Sequence, residues 1–254
     1  MSKKLLISLP AILLLCSHLA IAQREDAANQ NPVQNYTVDA NWAQVPGGEW
    51  NGSTSWITVD GKGLVYVLVR TAPYVRIFNR DGSFVRSWGD DIDIGSAHSI
   101  TIDDEDNAWI SDSNEHVIYK FDSGGKLLMT LGTHGEAGDN ESLDKFNQPN
   151  HVFIADNGDI YISDGYVNSR VVQFSSNGEL IRIIGGVKGT GPGEFKAVHG
   201  VALDSQGNIL INDSENFRVN VFNARGQFVE SWPISSRGGI EVRDNNMTYI
   251  SDVN

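Results

Sequence analysis

The chain has 254 residues, 40% of them hydrophobic, and a formal charge of −13 at neutral pH. That length suffices for one domain with a sizeable core, and that charge argues against nucleic acid or an anionic membrane as partner. The single cysteine, Cys16, lies in the first segment, so the remainder of the chain has neither a disulfide nor thiolate chemistry.

Residues 1–22 read as a secretory signal. Lys3 and Lys4 form a basic start, Leu5 to Leu15 is apolar, and Ala20-Ile21-Ala22 is a small-x-small cleavage site before Gln23. The apolar run is short for a membrane span, and the leucines before Cys16 do not suit lipid attachment. Cleavage removes two lysines and no acid, taking the charge from −13 to −15. The product is expected to be secreted or periplasmic, and monomeric. Residues 23–47 form a polar arm rich in Asn and Gln, to which Tyr36-Thr37-Val38 adds one candidate strand. Residues 48–254 are one globular composition.

Within 48–254 a four-strand sentence repeats. It is clearest at 98–132: strands at 99–103, 108–112, 117–121 and 127–131, with turns at Glu105-Asp106-Asn107 and Asp122-Ser123-Gly124-Gly125. The same pattern runs through 55–88, 151–184 and 199–232, and no stretch after the leader has sustained helical periodicity. Phe78, Phe121, Phe174 and Phe222 close the third strands at intervals of 43, 53 and 48 residues. A period of that size with four strands per unit predicts an all-β, six-bladed-type β-propeller. A fifth unit begins at Gly239 and stops at Ser251-Asp252-Val253-Asn254. The chain therefore reads as truncated after the start of the fifth blade, or else as a ring closed by its arm or a partner.

Aligning the units on Asp60, Asp103, Asp156, Asp204 and Asp244 places Ser55, His98, His151, His199 and Gly239 at one repeat position. First strands line a propeller's channel, so such residues converge on its axis. Histidines from alternate blades of six would stand at three-fold spacing, the arrangement of a three-histidine zinc with an open position. His98 and His199 fit that spacing, and His151 in the third unit interrupts it. The repeat aspartates read as turn residues. Asn168 with Arg170, and Asn216 with Arg218, read as inter-strand structural contacts. The glycine-rich 189–195 is a loop between blades, because it lacks the Gly-Lys-Ser/Thr ending of a phosphate loop.

Asn-x-Arg-Val after a strand-end Asp, with a Gly-x-Gly-x-Phe loop before the next strand, resembles the NHL-repeat propellers. Within those, Ser163-Asp-Gly-Tyr-Val-Asn-Ser-Arg-Val-Val-Gln-Phe-Ser175 resembles peptidyl-α-hydroxyglycine α-amidating lyase, a likeness running from about Ser53 to Asn254. The resemblance implies cleavage of a C–N bond in a peptidyl or other small hydroxy-compound, releasing an amide and glyoxylate. It implies His98 and His199 as zinc ligands, with a third beyond Asn254. It also implies Tyr166 as general base and Arg70 as carboxylate binder. A structural calcium would rest on the backbone carbonyls of Ile57 and Ile100. The family's second active-site arginine falls on Ser214, an acidic position on His151, and a Gly-Asp type loop on Thr71-Ala72-Pro73. Two other readings stand beside the lyase. One is a non-enzymatic propeller binding a peptide, protein or glycan through surface aromatics such as Trp50, Trp56 and Trp109. The other is a calcium-dependent lactonase-like hydrolase, which the histidines disfavour.

Overall fold

The computed structural model describes residues 37–48, 50–234, 238–243 and 246–251. The expected leader, the arm up to residue 36, Asp244 and residues 252–254 lie outside the described residues.

Four four-stranded antiparallel sheets follow one another along the chain. The first holds β1 (Thr54–Val59), β2 (Val65–Val69), β3 (Val75–Phe78) and β4 (Phe84–Trp88). The second holds β5 (Ala97–Ile102), β6 (Ala108–Asp112), β7 (Val117–Phe121) and β8 (Leu127–Leu131). The third holds β9 (Pro149–Ile154), β10 (Ile160–Asp164), β11 (Arg170–Phe174) and β12 (Leu180–Gly185). The fourth holds β13 (Val198–Leu203), β14 (Ile209–Asp213), β15 (Arg218–Phe222) and β16 (Phe228–Trp232). A fifth, two-stranded sheet pairs β17 (Ile240–Val242) with β18 (Thr248–Ile250). The expected propeller is present, blade by blade, and a 3-10 turn at Ser214–Asn216 is the only helical element among the described residues.

Short-range chemistry sets this order. Gly82, Gly125, Gly178 and Gly226 each take a positive φ in the hairpin between third and fourth strands, a conformation glycine adopts without steric cost. The first hairpin is tied by a carboxylate: Asp103 Oδ1 accepts from the amides of Glu105 and Asn107, and Asp204 Oδ1 from those of Gln206 and Asn208. The core lies between blades. Leu68, Ile77 and Trp88 of the first pack on Ile100, Ile110 and Tyr119 of the second, and Tyr161 and Val171 of the third pack on Val201 and Ile211 of the fourth.

Two expectations need correction. Residues 42–45 are not a loose arm: Trp42, Ala43 and Val45 pack on Val65, Val67 and Phe78, and Trp42 Nε1 donates to the Arg80 carbonyl at 2.9 Å. Of the strand expected at 36–38, Thr37 and Val38 are irregular and Val38 is exposed, while Tyr36 lies outside the described residues.

The Asn-x-Arg signature does more than join strands. Asp164, at the end of β10, accepts from Arg170 Nε at 2.8 Å and Asn168 Nδ2 at 2.8 Å. Arg170 then reaches the carbonyls of Asn140, Ser142 and Lys145, so one buried guanidinium fastens the whole connection into the third blade. Arg218 repeats this with Asp213 and the carbonyls of Thr190, Gly191 and Glu194.

Candidate active site

All four complete first strands bulge at the same place. Ser55, His98, Asn150 and His199 are the extra residues, lying between the paired positions Thr54/Trp56, Ala97/Ser99, Pro149/His151 and Val198/Gly200. A bulge of this kind leaves one residue out of the ladder and re-aims its side chain. The turns confirm the equivalence: the amides of Asp60, Asp103, Ala155, Asp204 and Arg243 each bond the carbonyl four residues on. Counting from those residues, Asn150 and not His151 is the third unit's counterpart of His98 and His199. The aspartate alignment slipped by one residue in the third and fifth units, where Ala155 and Arg243 hold the place given to Asp156 and Asp244.

The correction restores the alternate pattern. Histidine stands at the bulge of the second and fourth blades, with Ser55 and Asn150 at those of the first and third. Both rings are aimed at one point: Nε2 of His98 lies 2.6 Å from Tyr166 Oη, and Nε2 of His199 lies 3.2 Å from the same oxygen. His98 Nδ1 faces the Asn150 carbonyl at 2.7 Å, a contact that only an N–H satisfies, so Nε2 carries the lone pair. The ring centres are 5.4 Å apart. Two imidazoles on one tetrahedral zinc, with Zn–N near 2.0–2.1 Å, have centres roughly 5.2 Å apart. Donor type and separation, and for His98 the tautomer, thus fit two ligands of a zinc site. No group of three metal-ligating side chains is assembled among the described residues.

His151 takes no part in this pair. It lies one layer down the channel, where its ring stacks on Trp56 with centroids 4.9 Å apart and its Nδ1 accepts from the Val201 amide at 3.3 Å. Residues at this level are Trp56, Ser99, His151, Gly200 and Gly239, and a Cβ at Gly239 would come within 3.0 Å of the Trp56 indole. Glycine here makes room for an aromatic floor. Burial pushes His151 down to about 3 and His98 down to about 4, with the neighbouring histidines acting in the same direction. His199 is lowered as well, again by burial, with the Gly238 backbone opposing. All three are neutral at physiological pH, the state in which imidazole ligates a metal.

Tyr166 arrives from the turn between β10 and β11. Gly165 before it leaves no room for a side chain, because a Cβ there would lie 2.6 Å from the carbonyl carbon of Val198, next to His199. Burial raises the Tyr166 phenol above its ordinary value and the Arg70 guanidinium opposes this. Arg70, exposed at the end of β2, donates Nη1–H to Ser96 Oγ at 3.1 Å. It occupies the place held by Ser113 and Ser214 in the second and fourth blades, since the amides of all three bond the residue two before the bulge. Ser214, where the resemblance places a second arginine, is buried, and its hydroxyl donates to the Ala197 carbonyl at 3.2 Å. Ile57 is exposed in β1 and Ile100 buried in β5, on neighbouring first strands.

Of the aromatics of the binding reading, Trp50 is exposed as expected, while Trp109 and Trp56 are placed otherwise. Trp109 is buried and donates to Asp103, and Trp56 is the channel floor. Trp50 packs on Phe78 beneath Arg76. Asn150 escaped sequence reading altogether. The turn register, rather than the aspartates, is the signal that finds it.

Known proteins agree with this fold. Residues 139–249 match a family model described as a 6-bladed β-propeller. The chain is 33% identical over 210 residues to NHL repeat-containing protein 3 of Homo sapiens, covering 78% of this chain and 59% of that protein. It is 32% identical over 165 residues to peptidyl-alpha-hydroxyglycine alpha-amidating lyase 1 of Drosophila melanogaster, covering 61% of this chain and 30% of that one. The chain thus spans little more than half of the first relative's length and under a third of the second's. Among solved structures, a streptogramin B lyase superimposes with a TM-score of 0.58 at 12% identity, over 79% of this chain and 62% of that one. A nidogen/laminin complex gives 0.63 at 15% identity, over 78% and 72%. At such identities these two speak for the fold alone.

Proposed function

Since this chain is an NHL-repeat β-propeller similar to the amidating lyases, we propose that it is an exported, zinc-dependent lyase that cleaves the C–N bond of a carbinolamide. The observation that carries this is the convergence of His98 Nε2 and His199 Nε2 on one tyrosine hydroxyl beside an arginine. His98 and His199 would hold the metal, which when bound supplies a Lewis acid that lowers the pKa of the substrate hydroxyl. Arg70 grips the substrate carboxylate through its planar fork of donors. Tyr166 Oη takes the hydroxyl proton, the C–O bond becomes a carbonyl, and the C–N bond breaks with its electron pair going to nitrogen. The amide nitrogen receives the proton back, so a peptide amide and glyoxylate leave with no water consumed. Tyr166 must be ionised for the first transfer. Burial works against that, while Arg70 and a cation at the histidines work for it. A calcium on the Ile57 and Ile100 carbonyls would brace two neighbouring first strands.

Zinc content of the purified whole chain, with glyoxylate release from a peptidyl α-hydroxyglycine, tests this reading. One zinc per chain, lost in His98→Ala and His199→Ala together with glyoxylate release, is expected. A well-folded protein without zinc overturns it. A second reading is a binding propeller without catalysis, to which the likeness to NHL repeat-containing protein 3 over 78% of this chain lends support. That reading expects wild-type ligand binding after His98→Ala.

A further inference from the structure

The bulge residues are linked to one another across the blades. Ser55 Oγ donates to the carbonyl of His98 at 2.5 Å, His98 Nδ1 to that of Asn150 at 2.7 Å, and Asn150 Nδ2 to that of Val198 at 2.7 Å. Asn150 stands between the two histidines and is bonded toward both. Its carbonyl fixes the tautomer and tilt of His98, and its side chain holds the peptide immediately before His199. Gly165, which delivers Tyr166, packs against that same Val198 peptide. Three parts of the site therefore meet at one carbonyl oxygen, and Asn150 is the side chain that ties it down.

We infer that Asn150 is a positioning residue that sets β13 against β9, so that His199 Nε2 meets Tyr166 and His98 Nε2 at a common point. The residue is fully buried, and its Oδ1 has no partner among the described residues. A buried acceptor left unpaired carries a desolvation cost, so the amide is kept for its N–H and not for packing. Aspartate has the same shape without that N–H. It would also set a negative oxygen against the Val198 carbonyl.

The metal part of this inference rests on the zinc reading above, but the positioning part does not. Histidine-ring 15N NMR on the metal-free whole chain, followed by a Zn2+ titration against a chromophoric chelator, tests both on wild type, Asn150→Asp and Asn150→Ser. In Asn150→Asp the His98 Nδ1–H tautomer is expected to persist, because its partner is main chain, while the His199 ring signals shift. Zn2+ affinity should fall about tenfold or more, as for other residues that orient metal ligands. His199 signals unchanged from wild type overturn the inference, as does zinc affinity within twofold of it. If wild type binds no zinc, the metal reading falls and the His199 signals alone decide the positioning role. If the aspartate variant does not fold, Asn150→Ser, too short to reach Val198, decides by the same two readouts.

Discussion

Replacing Gly165 by alanine tests the site geometry more sharply than removing any catalytic group. The added Cβ would overlap the Val198 carbonyl oxygen and lie 2.6 Å from both the carbonyl carbon and the Cβ of Val198, against an ordinary contact of 3.4 Å or more. The turn carrying Tyr166 and the strand carrying His199 must therefore part by more than ~0.8 Å, because the obstructing atoms are backbone or Cβ and none can rotate away. The Tyr166–His199 contact is already 3.2 Å long, so most of that displacement takes it beyond hydrogen-bonding distance. Forcing a methyl into such a place costs about 1–3 kcal/mol, and each kcal/mol lowers the melting midpoint of a domain this size by roughly 2–4 °C. A shift near 1 Å at a reacting group costs about 100-fold in rate. Differential scanning calorimetry with a glyoxylate-release assay reads both effects. Wild-type melting and wild-type rate in Gly165→Ala would refute the placement of Tyr166 against His199.

Acid should weaken the fold through its buried histidines. His98 and His151 have folded-state values of about 4 and about 3, below the ordinary 6.5, so the unfolded chain binds their protons first. Stability is thus lost as pH falls below about 6.5 and levels off near the folded values; at pH 5 each histidine removes about 2 kcal/mol. His151→Phe should cut the loss between pH 7 and pH 5, measured by urea unfolding with chelator present, by one histidine's share; an unchanged loss would count against a neutral His151. Arg170→Ala leaves Asp164 charged and buried with three carbonyls unpaired, and should cost about 3–5 kcal/mol. Arg218→Ala should cost less, because its side chain is 15% exposed and water can replace it, whereas Arg170 is at 0%. Equal losses in urea titrations would sink that comparison. Arg70→Ala should raise KM for a carboxylate-bearing carbinolamide at least tenfold while leaving the melting midpoint within ~1 °C, since a rim ion contributes little to stability; an unchanged KM would remove Arg70 from substrate binding.

The propeller was legible because its punctuation is local. A hairpin glycine such as Gly125, or a carboxylate such as Asp103 bonding two amides, acts within five residues; the glycine marks every complete repeat and the carboxylate the first, second and fourth. Tyr166, His98, His199 and Arg70 were singled out through the likeness of their surroundings, and the structure brings the side chains of the first three into contact, with the Arg70 charge acting on Tyr166. What sequence could not show was register. The residue that closes the first hairpin needs only its amide, so alanine serves at 155 and arginine at 243, and the capping oxygen of the third blade moves to Asn157, which accepts from the Asp159 amide. An aspartate one place along, Asp156, then counterfeits the repeat position and carries His151 into a set where it does not belong.

The same slip hid the division of the channel into layers. In a strand one residue's shift exchanges opposite directions, but at a bulge two successive residues, His98 and Ser99 or Asn150 and His151, face one partner residue. The upper layer then holds the histidines and Asn150. The lower holds Trp56, His151 and Gly239, which admits the indole. Trp56 was expected on the surface because alternation says which face of a strand is apolar, and not that the face looks across a channel at another blade. Which side chains reach the candidate site is therefore decided by a backbone irregularity repeated four times, and the polar residues at two of those irregularities, Ser55 and Asn150, are hydrogen-bonded to the strands that carry the two histidines.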